Sequence, residues 1–210
     1  RRVLLDGRIG DVHAANCHLG QDWIEPHWDT WRADPELSGG GQLYDTGSHL
    51  LDALLWTTGT EPESVAAQIE FAKPRVDVNS ALSLRLDRGG TPVTAGVTIS
   101  GDGVDLTPTE GYFFWGTEGR LTYAGDTIAI AEKGALTYRT DVTGSANFQT
   151  LNERKLQNFV SSIEGTAAPA VPAEVGLRVT ALTEAAYRAA ATGSTVSVQT
   201  VIDETFAGRV

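Results

Sequence analysis

The chain has 210 residues, of which 41 % are hydrophobic and 20 % charged, enough apolar content for one sizeable core. Its formal net charge of -11 argues against a nucleic-acid surface or an anionic membrane as partner, because both are bound through clustered Lys and Arg. Apolar runs such as Leu50 to Trp56 fall far short of the roughly 20 residues that span a bilayer, and no signal-peptide pattern is present.

One cysteine, Cys17, leaves neither an internal disulfide framework nor a Cys-based zinc site. It lies in an apparent strand, where a buried structural thiol is expected, and a reducing cytoplasm follows as the expected setting. The chain holds no Met and opens Arg1-Arg2-Val3-Leu4-Leu5-Asp6-Gly7, which reads like the tail of a helix stopped at Gly7. A fragment of a longer protein is expected, with residues 1–210 forming a single domain.

Residues 11–19 read as a strand. An irregular aromatic stretch follows from Asp22 to Pro35, with Trp23, Trp28 and Trp31. After Gly39-Gly40-Gly41 a helix is predicted from Tyr44 to Thr58, stopped at Gly59. Runs at 65–72, 80–87, 92–100, 110–116, 119–124, 127–132 and 135–140 alternate with period two, as strands do. Their connections, such as Asp87-Arg88-Gly89-Gly90 and Gly125-Asp126, are too short for parallel crossovers. A large, mainly antiparallel sheet is predicted, giving an α+β class. Helices at 151–164 and 173–192, separated by Pro169 and Pro172, and a last strand at 194–201 complete the chain.

In the helix near Tyr44, the residues Asp45, His49 and Asp52 stand at i, i+4 and i+7, within a roughly 60° arc. Leu50, Leu51, Leu54 and Leu55 take the opposite side. An acid-imidazole-acid stripe on a helix packed by its leucines has three readings. It can be a plain solvated face, a cation site, or an acid–base group in which a carboxylate orients the imidazole. No further His or Cys stands at ligand spacing, so no metal is expected.

The run Trp31-Arg32-Ala33-Asp34-Pro35-Glu36-Leu37-Ser38-Gly39-Gly40-Gly41-Gln42-Leu43-Tyr44-Asp45-Thr46-Gly47-Ser48-His49-Leu50-Leu51-Asp52 resembles the Gfo/Idh/MocA family pattern W-R-x-D-P-x-x-S-G-G-G-x-L-x-D-x-G-x-H-x-x-D. Asp6-Gly7-Arg8-Ile9-Gly10-Asp11-Val12 resembles the family's approach to its second domain, and Leu182 to Ala190 with Gly193 and Val196 resembles its closing helix and strand. The resemblance implies an open sheet with helices on one face, joined in the whole protein to a Rossmann domain that binds NAD or NADP. It implies hydride transfer on a hydroxyl or carbonyl of a sugar, cyclitol or related polyol, with His49 as catalytic histidine, Asp45 as its carboxylate and Asp52 in a structural role. Homodimers or homotetramers formed through the bare sheet face are implied as well.

Trp31, Arg32 and His18 are weaker candidates for substrate contact, since Arg can hold sugar hydroxyls and Trp a sugar face. His13 and His27 are expected to be structural or exposed. The chain lacks G-x-G-x-x-G, and Gly39-Gly40-Gly41 reads instead as close backbone packing before the helix. The family's lysine belongs to the absent half, and Lys73 in Ala72-Lys73-Pro74 is read as a surface residue. The chain alone is therefore expected to be inactive. The alternative is a stand-alone ligand-binding or oligomerisation module.

Overall fold

The computed structural model describes residues 1–72, 75–103, 109–142 and 148–207; Lys73 lies outside them. A short helix α1 (Arg2–Leu5) ends before Gly7, whose φ of 69° is open to glycine and strained for other residues, as the helical-tail reading predicts. Strand β1 (Val12–Gly20) follows, then two single-turn helices, α2 (Ile24–His27) and α3 (Pro35–Ser38), with a 3-10 turn at Trp31–Ala33 between them. The helix predicted from Tyr44 begins two residues later as α4 (Thr46–Thr58) and stops at Gly59, φ 67°.

Seven strands come next: β2 (Glu61–Ala72), β3 (Val76–Arg88), β4 (Thr91–Ser100), β5 (Thr109–Gly116), β6 (Gly119–Ala124), β7 (Thr127–Glu132) and β8 (Ala135–Asp141). Then follow α5 (Phe148–Ile163), α6 (Ala173–Thr192), the two-residue β9 (Val196–Ser197) and α7 (Val198–Ala207). The sheet order is β8-β7-β6-β5-β1-β4-β3-β2-β9. Every pairing is antiparallel except β1 with β4, where Cys17 stands opposite Val97. The first strand thus slots between β4 and β5, so those two consecutive strands are not neighbours.

The predicted strand at 194–201 is corrected. Only Val196 and Ser197 pair, with Val65 and Ser64, and the chain then turns helical. Its β-branched residues suggest a strand, but Val198, Val201 and Ile202 stand at helical spacing and face the core. The Thr200 N–H donates to Ser197 Oγ (3.3 Å), giving the new helix a side-chain start.

One apolar cluster holds the molecule together on the helix-covered side of the sheet. It joins Cys17 and Leu19 of β1, Leu82, Leu84 and Leu86 of β3, Val97 and Ile99 of β4, and Phe114 of β5 to Leu50, Leu51 and Leu54 of α4 and Leu182 of α6. Each of those helix leucines is at most 2 % exposed, and burial of this kind stabilises by roughly 1.5–3 kcal/mol per side chain. Burial pushes the Cys17 thiol up to about 12, with the nearby Glu110 charge adding to it, so at neutral pH it is a packing group rather than a nucleophile. No helix among the described residues is long and apolar enough to cross a membrane.

Candidate functional site

The segment between β1 and α4 is built by local hydrogen bonds that account for its sequence. Asp34 caps α3 by accepting from the Glu36 N–H (3.1 Å), Pro35 fills a first-turn position, and Gly39 ends the helix at φ 79°. Gly40 then packs against Tyr187 and Gly41 against the buried start of β3. Gly41 and Leu43 donate their N–H groups to the two oxygens of the Asp77 carboxylate (2.6 and 2.7 Å), and the Gln42 N–H donates to the Asp77 carbonyl (3.0 Å). A Cβ on Gly41 would overlap the Asp77 carbonyl, and one on Gly40 would overlap the Tyr187 hydroxyl. Close packing before the helix is thus what Gly40 and Gly41 provide, whereas Gly39 serves the left-handed turn that ends α3 and has open space around it. Gly41→Ala is expected to cost about 1–3 kcal/mol by overpacking, read as a lower urea midpoint.

This loop sets the start of α4. The Asp45 N–H donates to the Gly41 carbonyl (2.9 Å) and the Gly47 N–H to the Gln42 carbonyl (2.8 Å). Asp45 sits at the N-cap without capping through its side chain. Its Oδ2 instead accepts from the Trp23 indole Nε1 (2.9 Å) and from Arg32 Nε (3.2 Å). The Arg32 guanidinium lies over the Trp31 ring, 4.5 Å from its centroid. Trp23, Trp31, Arg32, Ser38, Gly40, Tyr44 and Asp45 together line a recess of about 160 Å³.

Of the residues singled out from the sequence, Trp31, Arg32 and Asp45 therefore meet at one place. His49 stands one turn along α4, exposed, and its side chain makes no hydrogen bond or ion pair among the described residues. Asp45 and His49 are thus not bonded to each other here, and both of Asp45's side-chain bonds fall on Oδ2. Asp52 is half-buried in a separate recess with Trp56 and Arg178.

His18 is not part of this grouping. Its neighbours Cys17 and Leu19 point into the core, so the alternation of a strand turns His18 to the other face of the sheet, where it stacks on Phe113. His13 is exposed, and His27 stacks on Trp23 and donates from Nδ1 to the Trp23 carbonyl (2.6 Å).

Trp23 is the site residue the sequence reading passed over. It is 1 % exposed, yet its indole nitrogen reaches a carboxylate 22 positions away. It comes from an irregular segment with no periodicity, so only its size marked it. Asp77, whose two bonded N–H groups lie in the loop before α4, was also unmarked.

Among the described residues no group of three or more His, Cys, Asp or Glu is gathered as for a metal ion. The glycine run is not a phosphate cradle either, because its N–H groups are already taken. Gly39 donates to the Pro35 carbonyl (3.0 Å), Gly40 to Ser38 Oγ (3.4 Å) and Gly41 to Asp77.

A nine-stranded mixed sheet with helices on one face, and an acid and an imidazole at the N-cap and in the first turns of α4, make this an α+β domain. The sequence model of the GFO/IDH/MocA C-terminal domain matches residues 1–122, and the chain belongs to that family. It is 28 % identical over 207 residues to 1,5-anhydro-D-fructose reductase of Ensifer adhaerens, covering 95 % of this chain and 60 % of that protein. It is 31 % identical over 177 residues to D-xylose 1-dehydrogenase (NADP(+)) 2 of Haloferax volcanii, covering 81 % of this chain and 51 % of the relative. The solved aldose-aldose oxidoreductase from Caulobacter crescentus, complexed with glycerol, superposes with a TM-score of 0.74 at 26 % identity, over 93 % of this chain and 58 % of that one. Levoglucosan dehydrogenase in complex with NADH and levoglucosan shares the fold at a TM-score of 0.81 and 18 % identity, over 94 % and 61 % of the two chains. The chain thus spans about half to three-fifths of the length of these relatives.

Proposed function

We propose that this chain is the substrate-side domain of an NAD(P)-dependent oxidoreductase acting on a hydroxyl or carbonyl of a sugar, cyclitol or related polyol. The observation that carries the proposal is the recess lined by Trp31, Arg32 and Asp45, with the exposed His49 one turn further along α4. The sugar-converting relatives support the substrate class. A nicotinamide bound by a separate nucleotide-binding domain would supply the hydride acceptor or donor. The N–H groups of Gly39, Gly40 and Gly41 are bonded within the chain, so this domain's residues are assigned to substrate and proton.

In the oxidative direction the substrate hydroxyl gives its proton to the His49 imidazole, assisted by a lysine of the other half. An imidazole whose ring nitrogens have no partner among the described residues is open to accept it. Asp45 is the carboxylate assigned to orient that histidine. With Oδ2 held by Trp23 and Arg32, its Oδ1 has no partner among the described residues and remains for the imidazole or a substrate hydroxyl. Arg32 supplies donors to sugar hydroxyls, and the Trp31 face an apolar wall for a ring. Asp52 is assigned a structural role, and His18 keeps only a distant claim to substrate contact from the opposite sheet face.

The outer face of the central strands carries small side chains such as Ala14, Asn16, Thr94, Gly96 and Thr98, flanked by the His18–Phe113–Trp115 stack. It supports assembly into a homodimer or homotetramer, and the lone buried thiol Cys17 supports a cytoplasmic setting.

Calorimetry with NAD and NADP tests the domain assignment. The 210-residue chain is expected to give no binding heat and to be inactive, while the full-length gene product binds one of the two. Tight dinucleotide binding by residues 1–210 alone would overturn it, as would an upstream reading frame that encodes no nucleotide-binding domain.

A further inference from the structure

We infer that Asp77, together with Tyr187, is a positioning pair that sets the geometry of the recess by clamping the glycine loop ahead of α4. The inference rests on the reading of that recess as the substrate site. Asp77 is a fully buried carboxylate on β3, remote from Asp45 and His49 in sequence and outside the recess lining. A buried charge is retained only where donors surround it. Asp77 has three: the N–H groups of Gly41 and Leu43, and the hydroxyl of Tyr187, which makes a short bond to Oδ1. Its own carbonyl takes a fourth donor, the Gln42 N–H.

All three backbone donors belong to residues 41–43, and the carbonyls of Gly41 and Gln42 in turn receive the N–H groups of Asp45 and Gly47. A single carboxylate on the sheet thereby fixes where α4 begins. The chain of contacts runs from Asp77 through the loop to the Asp45 backbone, and from the Asp45 carboxylate to Trp23 and Arg32. Tyr187 ties in from the other side. Its ring, carried by α6, stacks on Tyr44 with centroids 6.3 Å apart, and Tyr44 lines the recess. Burial raises the Tyr187 phenol well above its ordinary range, and the Asp77 charge adds to this, so the hydroxyl stays a donor at every physiological pH.

A purely stabilising buried hydrogen bond would change only the melting behaviour when weakened. A positioning pair also moves the groups it holds. The Trp23 indole N–H reports on this directly, because its partner is the Asp45 carboxylate. In two-dimensional proton–nitrogen NMR of the 210-residue chain, Asp45→Ala provides the position of that signal without its acceptor. Asp77→Asn and Tyr187→Phe are expected to move the signal toward that position at a temperature where the chain remains folded by circular dichroism. Should Asp77→Asn fail to fold, Tyr187→Phe, which removes one oxygen, carries the test. An unmoved Trp23 signal in the folded variant overturns the inference.

In the full-length enzyme the same variants are expected to lower kcat by about 10²-fold, the scale of a misplacement near 1 Å, with KM little changed. An unchanged kcat in a variant that merely melts earlier would reduce the pair to a structural role. The NMR arm contains no substrate or nucleotide, so its result stands apart from whether His49 proves to be the proton acceptor.

Discussion

His49→Ala in the full-length enzyme is expected to lower kcat by about 10²–10⁴-fold, the range supplied by a positioned general acid or base, while leaving the melting temperature within a degree or two of the parent's. The two halves of this expectation come from different observations. The side chain is exposed and makes no bond to any described residue, so its removal opens no cavity and strands no polar partner. Its place one turn along the chain from Asp45, whose carboxylate lines a recess with Arg32 and Trp31, is what assigns it the proton. Steady-state rates and thermal melts on the same preparation check both. A variant with near-normal turnover removes His49 from the chemistry.

Trp23→Ala is expected to be the more damaging substitution for the fold, at about 3–5 kcal/mol for a fully buried aromatic, measured as a shift in the urea midpoint. Trp23 is 1 % exposed, and its ring stacks on His27. Its indole N–H is one of two donors holding Asp45 Oδ2. Trp23→Phe keeps most of the volume and loses the donor. It is expected to recover much of the stability but not the environment of Asp45, separating the packing role of the ring from the role of its nitrogen.

Much of the fold was legible because it rests on short-range patterns. The alternation of Leu82, Leu84 and Leu86, the leucine face of α4 and the stop at Gly59 are local signals, and the structure realises them. The final segment misled because β-branched residues compete with helical spacing over a stretch of only a few residues, and the spacing won. The insertion of β1 between β4 and β5 could not be read locally. It joins residues some 80 or more positions apart, such as Cys17 with Val97, and nothing in either strand's alternation specifies its neighbour.

The site divides in the same way. The Asp45–His49 spacing and the Trp31-Arg32 pair are contiguous features, so the sequence displays them. The bonds that organise them are not contiguous: Trp23 to Asp45 and Asp77 to Gly41 depend on how the sheet brings separate segments together. His18 is a different case. Its burial pattern was available from Cys17, since a core-facing residue at 17 turns 18 outward, and that rule alone separates His18 from the α4 site.

The recess lined by Trp31, Arg32 and Asp45, with His49 one turn along α4, is assigned to a sugar or polyol in a nicotinamide-dependent reaction. The most direct measurement is nicotinamide absorbance in the full-length protein, with NAD and NADP in turn, across aldoses, anhydrosugars and cyclitols. Turnover of at least one such substrate, lost in His49→Ala, is the predicted result. A full-length protein that binds the dinucleotide but turns over none of these classes in either direction would contradict the account.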